Sequence, residues 1–233
     1  MAQKINPTSL RLGTTQLWIF NLQCYGKSFK VYFSLLQKYI QSVLFLKKIS
    51  EQMGFSLNYQ QWKIKGKDSI ELNIYYTQPF FILNKDFNQF RDKLKNTLNK
   101  ILQGGVKMSY YLVTSSLLSR DLLCFYGKFL ASENWVIKKV LWNLSKFLEV
   151  HLNSLKLTYT TQGIKILKLK GFKIKISGRI DDSKMQMAKS LNLSIGNSCL
   201  TSLRNYIIYS NNALYTKSGV CGIKIWLFYE SVY

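Results

Sequence analysis

The residue types that carry out catalysis are scarce and scattered in this chain. The adjacent acidic pair Asp181-Asp182 follows Gly178-Arg179, a position where a turn is expected. The single histidine, His151, lies on the apolar side of a helical pattern and is predicted to be a packed side chain. Hydrolysis or lyase chemistry on nucleic acids needs clustered carboxylates for metal ions, or a tuned lysine or histidine. The sequence therefore predicts no catalytic site, no metal site and no cofactor, and a nuclease or lyase is the weaker interpretation.

The four cysteines do not form a metal-binding or redox motif. Cys24, Cys124, Cys199 and Cys221 are far apart, and no two have the short spacing of a zinc site or a thioredoxin-like pair. We expect free and mostly buried thiols in a reducing compartment.

Basic residues give the strongest chemical signal. There are 33 Lys and Arg against 11 Asp and Glu, a net charge of +22. Self-repulsion opposes folding at this charge, so the excess indicates a polyanionic partner, either nucleic acid or an anionic membrane surface. No apolar window approaches the eighteen residues or so of a membrane span. A free-standing RNA chaperone and a peripheral membrane protein remain alternatives at this point.

The lysines near residue 170 need a strand to position them. Residues 164–180 alternate apolar and basic side chains, which is typical of a half-buried strand with one lysine-bearing face. The alternation shifts near Leu167 and Gly171, which predicts a bulge or a short turn.

The periodicity of the whole chain predicts the order of its elements. In order they are helix 28–53, two strands within 55–77, helix 87–105, a strand near 107–114, helices 116–132 and 133–153, strand 164–180, an irregular stretch and a last strand at 222–230. Ser132 or Asn134 is expected to cap the second of the paired helices. This order predicts an α+β chain of two units with a boundary near residue 110–120.

Three motifs in order resemble one family. Residues 3–7, Gln-Lys-Ile-Asn-Pro, precede Arg-Leu-Gly at 11–13. Residues 171–180 read Gly-Phe-Lys-Ile-Lys-Ile-Ser-Gly-Arg-Ile, and Ser-Leu-Arg at 202–204 comes before Gly-Val-Cys-Gly-Ile-Lys-Ile-Trp at 219–226. These segments are similar to the start, centre and end of the third protein of the small ribosomal subunit.

The resemblance implies a fold and a domain division. It implies an RNA-contacting tail at 1–20 and a type II KH domain at 21–115. It also implies a second α+β domain at 116–233, with helices packed on a mostly antiparallel sheet. About twenty residues near 152–168 exceed the family pattern and are expected to be an insertion that touches neighbouring molecules.

The resemblance also marks a departure in the KH domain. KH domains hold nucleic-acid backbone with a Gly-x-x-Gly loop. The matching stretch begins at Pro79 and has no glycine, and its loop positions are Leu83, Asn84, Lys85 and Asp86. Asp86 would cap the next helix, but its charge discourages a phosphate. We expect the scaffold to persist and clamping by this loop to be lost or altered.

RNA-binding residues follow from the family match. On the predicted helix 133–153, Lys138 and Lys139 match a basic pair that in the family faces entering mRNA, and Lys146 lies two turns further on the same face. The other residues expected to bind RNA are Lys4, Asn6, Arg11, Lys173, Lys175, Arg179 and Arg204.

The function implied is a structural constituent of the small-subunit head that binds ribosomal RNA and helps form the mRNA entry channel. The implied partners are ribosomal RNA, mRNA and the tenth and fourteenth proteins of the subunit, with no homo-oligomer.

The composition and the position of the first motif bear on the compartment. Bias towards Lys, Asn, Ile, Phe and Tyr points to an organelle, and the motif begins at residue 2 without room for an import sequence. We expect a mitochondrial, organelle-encoded protein; a plastid and a bacterial cytoplasm are the alternatives. The alternative function is that of a free-standing RNA-binding protein or RNA chaperone.

Overall fold

The chain forms two compact units, one of residues 19–117 and one of residues 1–18 together with 118–233. Each unit has its own sheet and its own apolar core. The α+β class predicted from the sequence is confirmed. The structure, a computed structural model, describes residues 5–18, 29–53, 56–65, 69–77, 87–102, 105–112, 120–133, 135–180 and 187–232.

The unit of residues 19–117 is built on a mixed three-stranded sheet. Strand β1 pairs antiparallel with β2, and β2 pairs parallel with β3. A parallel pair needs a crossover connection, and the helix that lies between β2 and β3 in the chain provides it. The elements are helix α2 (Phe29–Met53), β1 (Ser56–Lys65), β2 (Ser69–Thr77), helix α3 (Phe87–Leu102) and β3 (Gly105–Leu112).

The core of this unit follows from two sequence periods. Alternate residues of β2 are buried, and so are α3 residues four apart, which lie on one helix face. Lys38 of α2 donates from Nζ to the carbonyl oxygen of Leu102 at 3.2 Å, which satisfies an end carbonyl of α3. The buried apolar residues are Leu46, Ile70, Leu72, Ile74, Leu94, Leu98, Leu102 and Val106.

The second unit packs two long helices and one short helix against an antiparallel sheet. The path across the sheet is β4-β5-β8-β7, and β6 pairs with the second half of β5 on the same side as β4. Its helices are α1 (Pro7–Arg11), α4 (Arg120–Ser132) and α5 (Ile137–Val150); its strands are β4 (Leu155–Thr160), β5 (Gly163–Gly178), β6 (Lys189–Gly196), β7 (Tyr206–Thr216) and β8 (Gly219–Val232).

Strand β5 decides which side chains face the helices. Its register against β8 shifts between Leu169 and Gly171, which confirms the predicted bulge at this glycine. Leu167 and Leu169 before the bulge, and Ile174 after it, therefore all enter the core shared with α4 and α5. The opposite surface of the sheet, which carries Ile164 and Ile166 before the bulge and Lys173 and Lys175 after it, is called the outer face below.

Two glycines allow close backbone contacts in this sheet. At Gly171 a Cβ atom would lie 2.5 Å from the carbonyl oxygen of Asn197, and at Gly178 it would lie 2.6 Å from the sulfur of Cys221. Gly178 also has a φ of +151°, where side chains are strained. Both positions therefore require glycine for steric reasons.

The N-terminal segment belongs structurally to the second unit. Asn6 caps α1 by accepting from the Thr8 backbone N–H at 3.0 Å, and Pro7 occupies the first turn, where no N–H is needed. Helix α1 packs against β7. Ile207 and Phe228, which pair across β7 and β8 on the outer face, are almost completely buried. Residues 5–18 thus pack on the sheet itself.

The structure corrects two predictions about local elements. The stretch predicted to be irregular contains strands β6 and β7. Ser132 ends α4 and donates its hydroxyl to Phe129 O at 2.7 Å, so it does not cap α5; the N-cap residue there is Val136, without a side-chain hydrogen bond. Asn134 and the Asp181-Asp182 pair lie outside the described residues.

Candidate nucleic-acid interface

Two rows of polar and aromatic side chains cross the outer face of the second sheet. Lys175 of β5 lies opposite Lys224 of β8, which lies opposite Asn211 of β7. In the next row whose side chains point to the same side of the sheet, Lys173 lies opposite Trp226, which lies opposite Tyr209. Directly opposed residues in antiparallel strands have Cβ atoms about 5 Å apart, so each row is a continuous surface.

The aromatic members of this surface are in contact. The ring centroids of Tyr209 and Trp226 are 5.4 Å apart with an interplanar angle of 37°. Burial raises the pKa of the Tyr209 phenol, and the nearby Cys124 acts in the same direction. Lysines for phosphates beside flat rings for bases are the combination that binds single-stranded and looped RNA.

Polar residues extend the rows and acidic ones are nearly absent. Asn192 and Ser194 of β6 are exposed and lie opposite Lys175 and Lys173. Among the described residues of β4–β8, the single carboxylate is Glu230. It accepts a hydrogen bond from Asn197 Nδ2 at 3.0 Å, well away from the lysine rows along β8. The described surface of the rows therefore presents positive charge and neutral polar groups to a polyanion.

A second basic surface lies on helix α5. Its buried face consists of Ile137, Val140, Leu141, Leu144, Ser145 and Leu148. This leaves Lys138, Lys139 and Lys146 exposed, as the sequence predicts. The ammonium of Lys146 sits 3.5 Å from the ring centroid of Trp142, which is itself 55% exposed. The helix thus offers three lysines and an indole on its solvent side.

Arg11 is a correction to the predicted RNA contacts. Its side chain is fully buried, and its guanidinium donates to four backbone carbonyls: Asn205 O at 3.0 Å, Pro7 O at 3.1 Å, Leu200 O at 2.9 Å and Ser202 O at 2.7 Å. Desolvation lowers its pKa and the nearby Cys199 raises it. A guanidinium enclosed by carbonyl oxygens has no open side for a phosphate. Arg11 holds the N-terminal segment to residues 200–205.

The remaining predicted residues are dispersed. Arg204 is exposed in a turn before β7. Arg179 is half-buried, and its carbonyl accepts from Ser218 Oγ at 3.4 Å and from Cys221 Sγ at 3.5 Å. Asn6 is exposed, but its side chain is engaged as the cap of α1. Lys4 and the loop residues Leu83, Asn84, Lys85 and Asp86 lie outside the described residues.

The unit of residues 19–117 contains a basic groove between α3 and the sheet. The cavity has a volume of about 580 Å³, and charged residues of α3 and β3 surround it. Burial raises the pKa of Tyr110 to about 12, against a lowering effect of Arg91. The lining residues are Tyr76, Arg91, Asp92, Lys95, Val106, Lys107, Met108 and Tyr110.

Sequence reasoning found part of the outer-face surface and missed its centre. Lys173 and Lys175 were identifiable from the alternation in β5, and the structure brings them together. Lys224 and Trp226 share one parity in Gly-Ile-Lys-Ile-Trp, which was the available signal. Tyr209 had no such signal, because β7 itself was not predicted.

The described residues show no metal cluster, and their three cysteines are free; Cys199 is half-buried, and a hydrogen bond with Thr201 lowers its pKa. No group of three or more His, Cys, Asp or Glu that could hold a metal occurs among them. Cys124 and Cys221 are buried, and burial raises the pKa of both thiols. His151 packs edge-on against Phe147, with centroids 4.7 Å apart, as a packed side chain would. No described helix is long and apolar enough to cross a membrane.

Comparisons with known proteins agree on one family. The family model described as "Ribosomal protein S3, C-terminal domain" matches residues 156–227. The chain is 39% identical over 229 residues to "Small ribosomal subunit protein uS3m" of Chondrus crispus, covering 98% of this chain and 94% of that protein. It is 28% identical over 235 residues to uS3 of Phytoplasma sp. strain STRAWB1, covering all of this chain and 84% of that protein. The chain is 25% identical over 238 residues to uS3c of Cyanidium caldarium, covering 98% of this chain and 99% of that protein.

Proposed function

Because the chain belongs to the uS3 family and is a non-enzymatic structural constituent of the small ribosomal subunit, we propose that it binds ribosomal RNA through the outer face of its second sheet. The observation that carries this proposal is the pair of adjacent rows, Lys175-Lys224-Asn211 and Lys173-Trp226-Tyr209. Phosphates pair with the lysines, and unpaired bases stack on the indole and phenol rings. Arg179 and Arg204, together with Lys4 and Asn6 of the N-terminal segment, add contacts at the margins.

Helix α5 binds a different RNA molecule, the mRNA. Lys138, Lys139 and Lys146 face mRNA at the entry channel of the subunit head, as their match to the family pattern implies. Their exposure supports this role, because the opposite face of α5 is fully used in the core. Trp142 offers a flat ring beside Lys146 on which an entering base stacks.

The unit of residues 19–117 acts as a type II KH domain with an altered loop. The support is its element order, αββαβ, and a sheet in which one neighbouring pair is antiparallel and the other parallel. The groove beside α3 keeps Arg91, Lys95 and Lys107 for phosphate contacts. Loss of glycine from positions 83–86 shifts the domain towards packing and away from clamping.

The protein works in the mitochondrion as an organelle-encoded subunit protein. The support is the relative named uS3m and the composition bias; plastid and bacterial relatives keep those two locations as alternatives. Its neighbours include the tenth and fourteenth proteins of the subunit, and it acts as one copy.

A sucrose gradient of organelle lysate in high salt, with the chain followed by mass spectrometry, tests stable membership of the subunit. The expected result is sedimentation with the small subunit. A chain that stays at the top of the gradient is a free-standing RNA-binding protein or RNA chaperone, and the RNA-binding proposal for the ribosome then fails.

A further inference from the structure

One end of the outer face has an apolar surface that the RNA-binding proposal does not use. It is formed by the hairpin of β4 and the first half of β5, joined by the end of β8. Register places Leu157 opposite Ile166, Tyr159 opposite Ile164, and Ile166 opposite Val232. We define the hairpin patch as Leu155, Leu157, Tyr159, Ile164, Ile166 and Val232, each between 46% and 72% exposed.

The polarity of this hairpin is inverted. Its other face carries Lys156, Thr158, Thr160 and Lys165, and burial lowers the pKa of Lys156. Polar residues thus occupy the sheltered side while apolar ones meet solvent. A contiguous group of exposed apolar side chains, such as these six, is characteristic of an interaction site on a folded unit. The turn of the hairpin is held in place by a hydrogen bond from Thr161 Oγ1 to Thr14 O.

The chemistry of the patch selects the class of occupant. No basic side chain lies among its six residues, so it offers no phosphate contact. A second copy of the chain would bring another +22 charges to the same surface, which opposes self-association. Lys168 borders the patch, opposite Leu155 on one side and opposite Glu230 of β8 on the other, so a carboxylate of this chain already faces it. Lys170, which follows on β5, is exposed. An apolar protein surface with a carboxylate at its border satisfies both the patch and Lys170.

We propose that the hairpin patch docks another protein of the small subunit, through apolar side chains bordered by acidic ones. The patch shares the outer face with the lysine rows, but on β8 the buried Phe228 and then Glu230 lie between Trp226 and Val232. One face of one sheet thereby binds RNA at one end and protein at the other. This inference uses membership of the ribosome, and it does not require the RNA contacts proposed for the lysine rows.

Site-specific photocrosslinking tests the inference. Recombinant full-length chain carrying p-benzoylphenylalanine at position 159 is assembled into small subunits stripped of the native chain. The expected result is a covalent adduct with a different subunit protein, at an apolar segment that has acidic residues beside it. An adduct with RNA, an adduct with a second copy, or no adduct in assembled subunits would each overturn the proposal.

The same reagent at position 226 separates this proposal from the RNA-binding proposal. There the expected adduct is with ribosomal RNA. A protein adduct at 159 without an RNA adduct at 226 leaves the docking inference standing and removes the RNA role of the lysine rows. The opposite pattern does the reverse.

A matched pair of double variants provides a second measurement. Leu157→Thr with Ile166→Thr removes apolar surface from the patch and places a β-branched residue, which suits a strand, at both positions. It should lower incorporation into subunits at least several-fold. Tyr215→Thr with Val220→Thr likewise replaces two exposed, directly opposed apolar side chains by Thr, at the far end of the sheet, and incorporation should be unchanged. Thermal unfolding of both free variants checks that the fold is retained. Equal incorporation of the two variants would contradict docking through the patch.

Discussion

At the residue scale, Arg11 shows how a basic residue in an RNA-binding protein can serve the fold. Its guanidinium is fully buried and satisfies four carbonyls of Pro7, Leu200, Ser202 and Asn205. We predict that Arg11→Ala lowers the free energy of unfolding by about 3 kcal/mol, because it leaves buried carbonyls without donors. Urea unfolding of the recombinant chain measures this. Arg204→Ala, at an exposed position, is the control and should change stability by less than about 0.5 kcal/mol; similar losses for both variants would contradict the structural role of Arg11.

Gly178 makes a second prediction at this scale. A Cβ atom there meets Cys221 Sγ at 2.6 Å and its Cα at 2.9 Å, in a backbone conformation that side chains avoid. We expect Gly178→Ala to destabilise the fold by about 1–3 kcal/mol. The matched control is Gly222→Ala, where the nearest atom to the new Cβ is Ser177 Oγ at 3.4 Å, an ordinary contact. If the two variants melt at the same temperature, the steric account of Gly178 is wrong.

Tyr110 links the other unit to pH. Burial raises its pKa to about 12, above the unfolded value of about 10, so the folded unit holds this proton more tightly. Its contribution to stability is therefore complete below pH ~10 and is lost as the pH rises towards about 12. Tyrosinate absorbance should show late-titrating tyrosines, and Tyr110→Phe should remove one of them. An unchanged titration curve for this variant would contradict the burial of Tyr110.

At the element scale, helix α5 carries the prediction for mRNA. Replacing Lys138 and Lys139 by Glu reverses charge on the exposed face without touching the core, so the fold should be retained. Initiation on structured messages should slow more than on unstructured ones, as measured in a reconstituted translation assay. Lys47→Glu with Lys48→Glu, an exposed pair on α2, is the control. Equal slowing of both message classes would count against an entry-channel role.

The elements also show what the sequence could and could not predict. Long periodic segments such as α2, α3 and β5 were predictable because one face of each is continuously apolar. Strand β7 was missed because its sequence, Tyr-Ile-Ile-Tyr-Ser-Asn-Asn-Ala-Leu-Tyr-Thr, has polar residues in its middle. Asn211 lies in a strand because β7 pairs with β8, where Lys224 lies opposite it. A local sequence pattern does not show such a partner from another part of the chain.

The burial of Arg11 was unpredictable for a related reason. Its acceptors are the carbonyls of residues about 190 positions away, and a carbonyl is present in every residue type. The family match and the positive charge therefore suggested an RNA contact. Lys173 and Lys175 were predicted because strand alternation is local and places both on the face opposite the core. The sequence did not predict strand β7 or the burial of Arg11, because both depend on contacts between residues far apart in the chain.

At the scale of the whole molecule, the net charge of +22 has to be divided between specific surfaces and general attraction. Each lysine that neutralises a phosphate releases counterions, so the salt dependence of binding counts contacts. The rows on the outer face contain three such lysines: Lys173, Lys175 and Lys224. Changing all three to Gln should weaken binding to ribosomal RNA and reduce the slope of log affinity against log salt by about 2 to 3.

A charge-matched variant distinguishes a specific surface from overall charge. Lys47, Lys48 and Lys100, all exposed on helices of the unit of residues 19–117, can be changed to Gln together for the same loss of three charges. If general attraction dominates, both triple variants lower the slope equally, because the net charge falls by the same amount. If the outer face is the contact surface, the loss of slope belongs to the Lys173, Lys175 and Lys224 variant. Filter binding over a salt series decides between these results, since a uniform polycation and a defined interface cannot give the same pair of slopes.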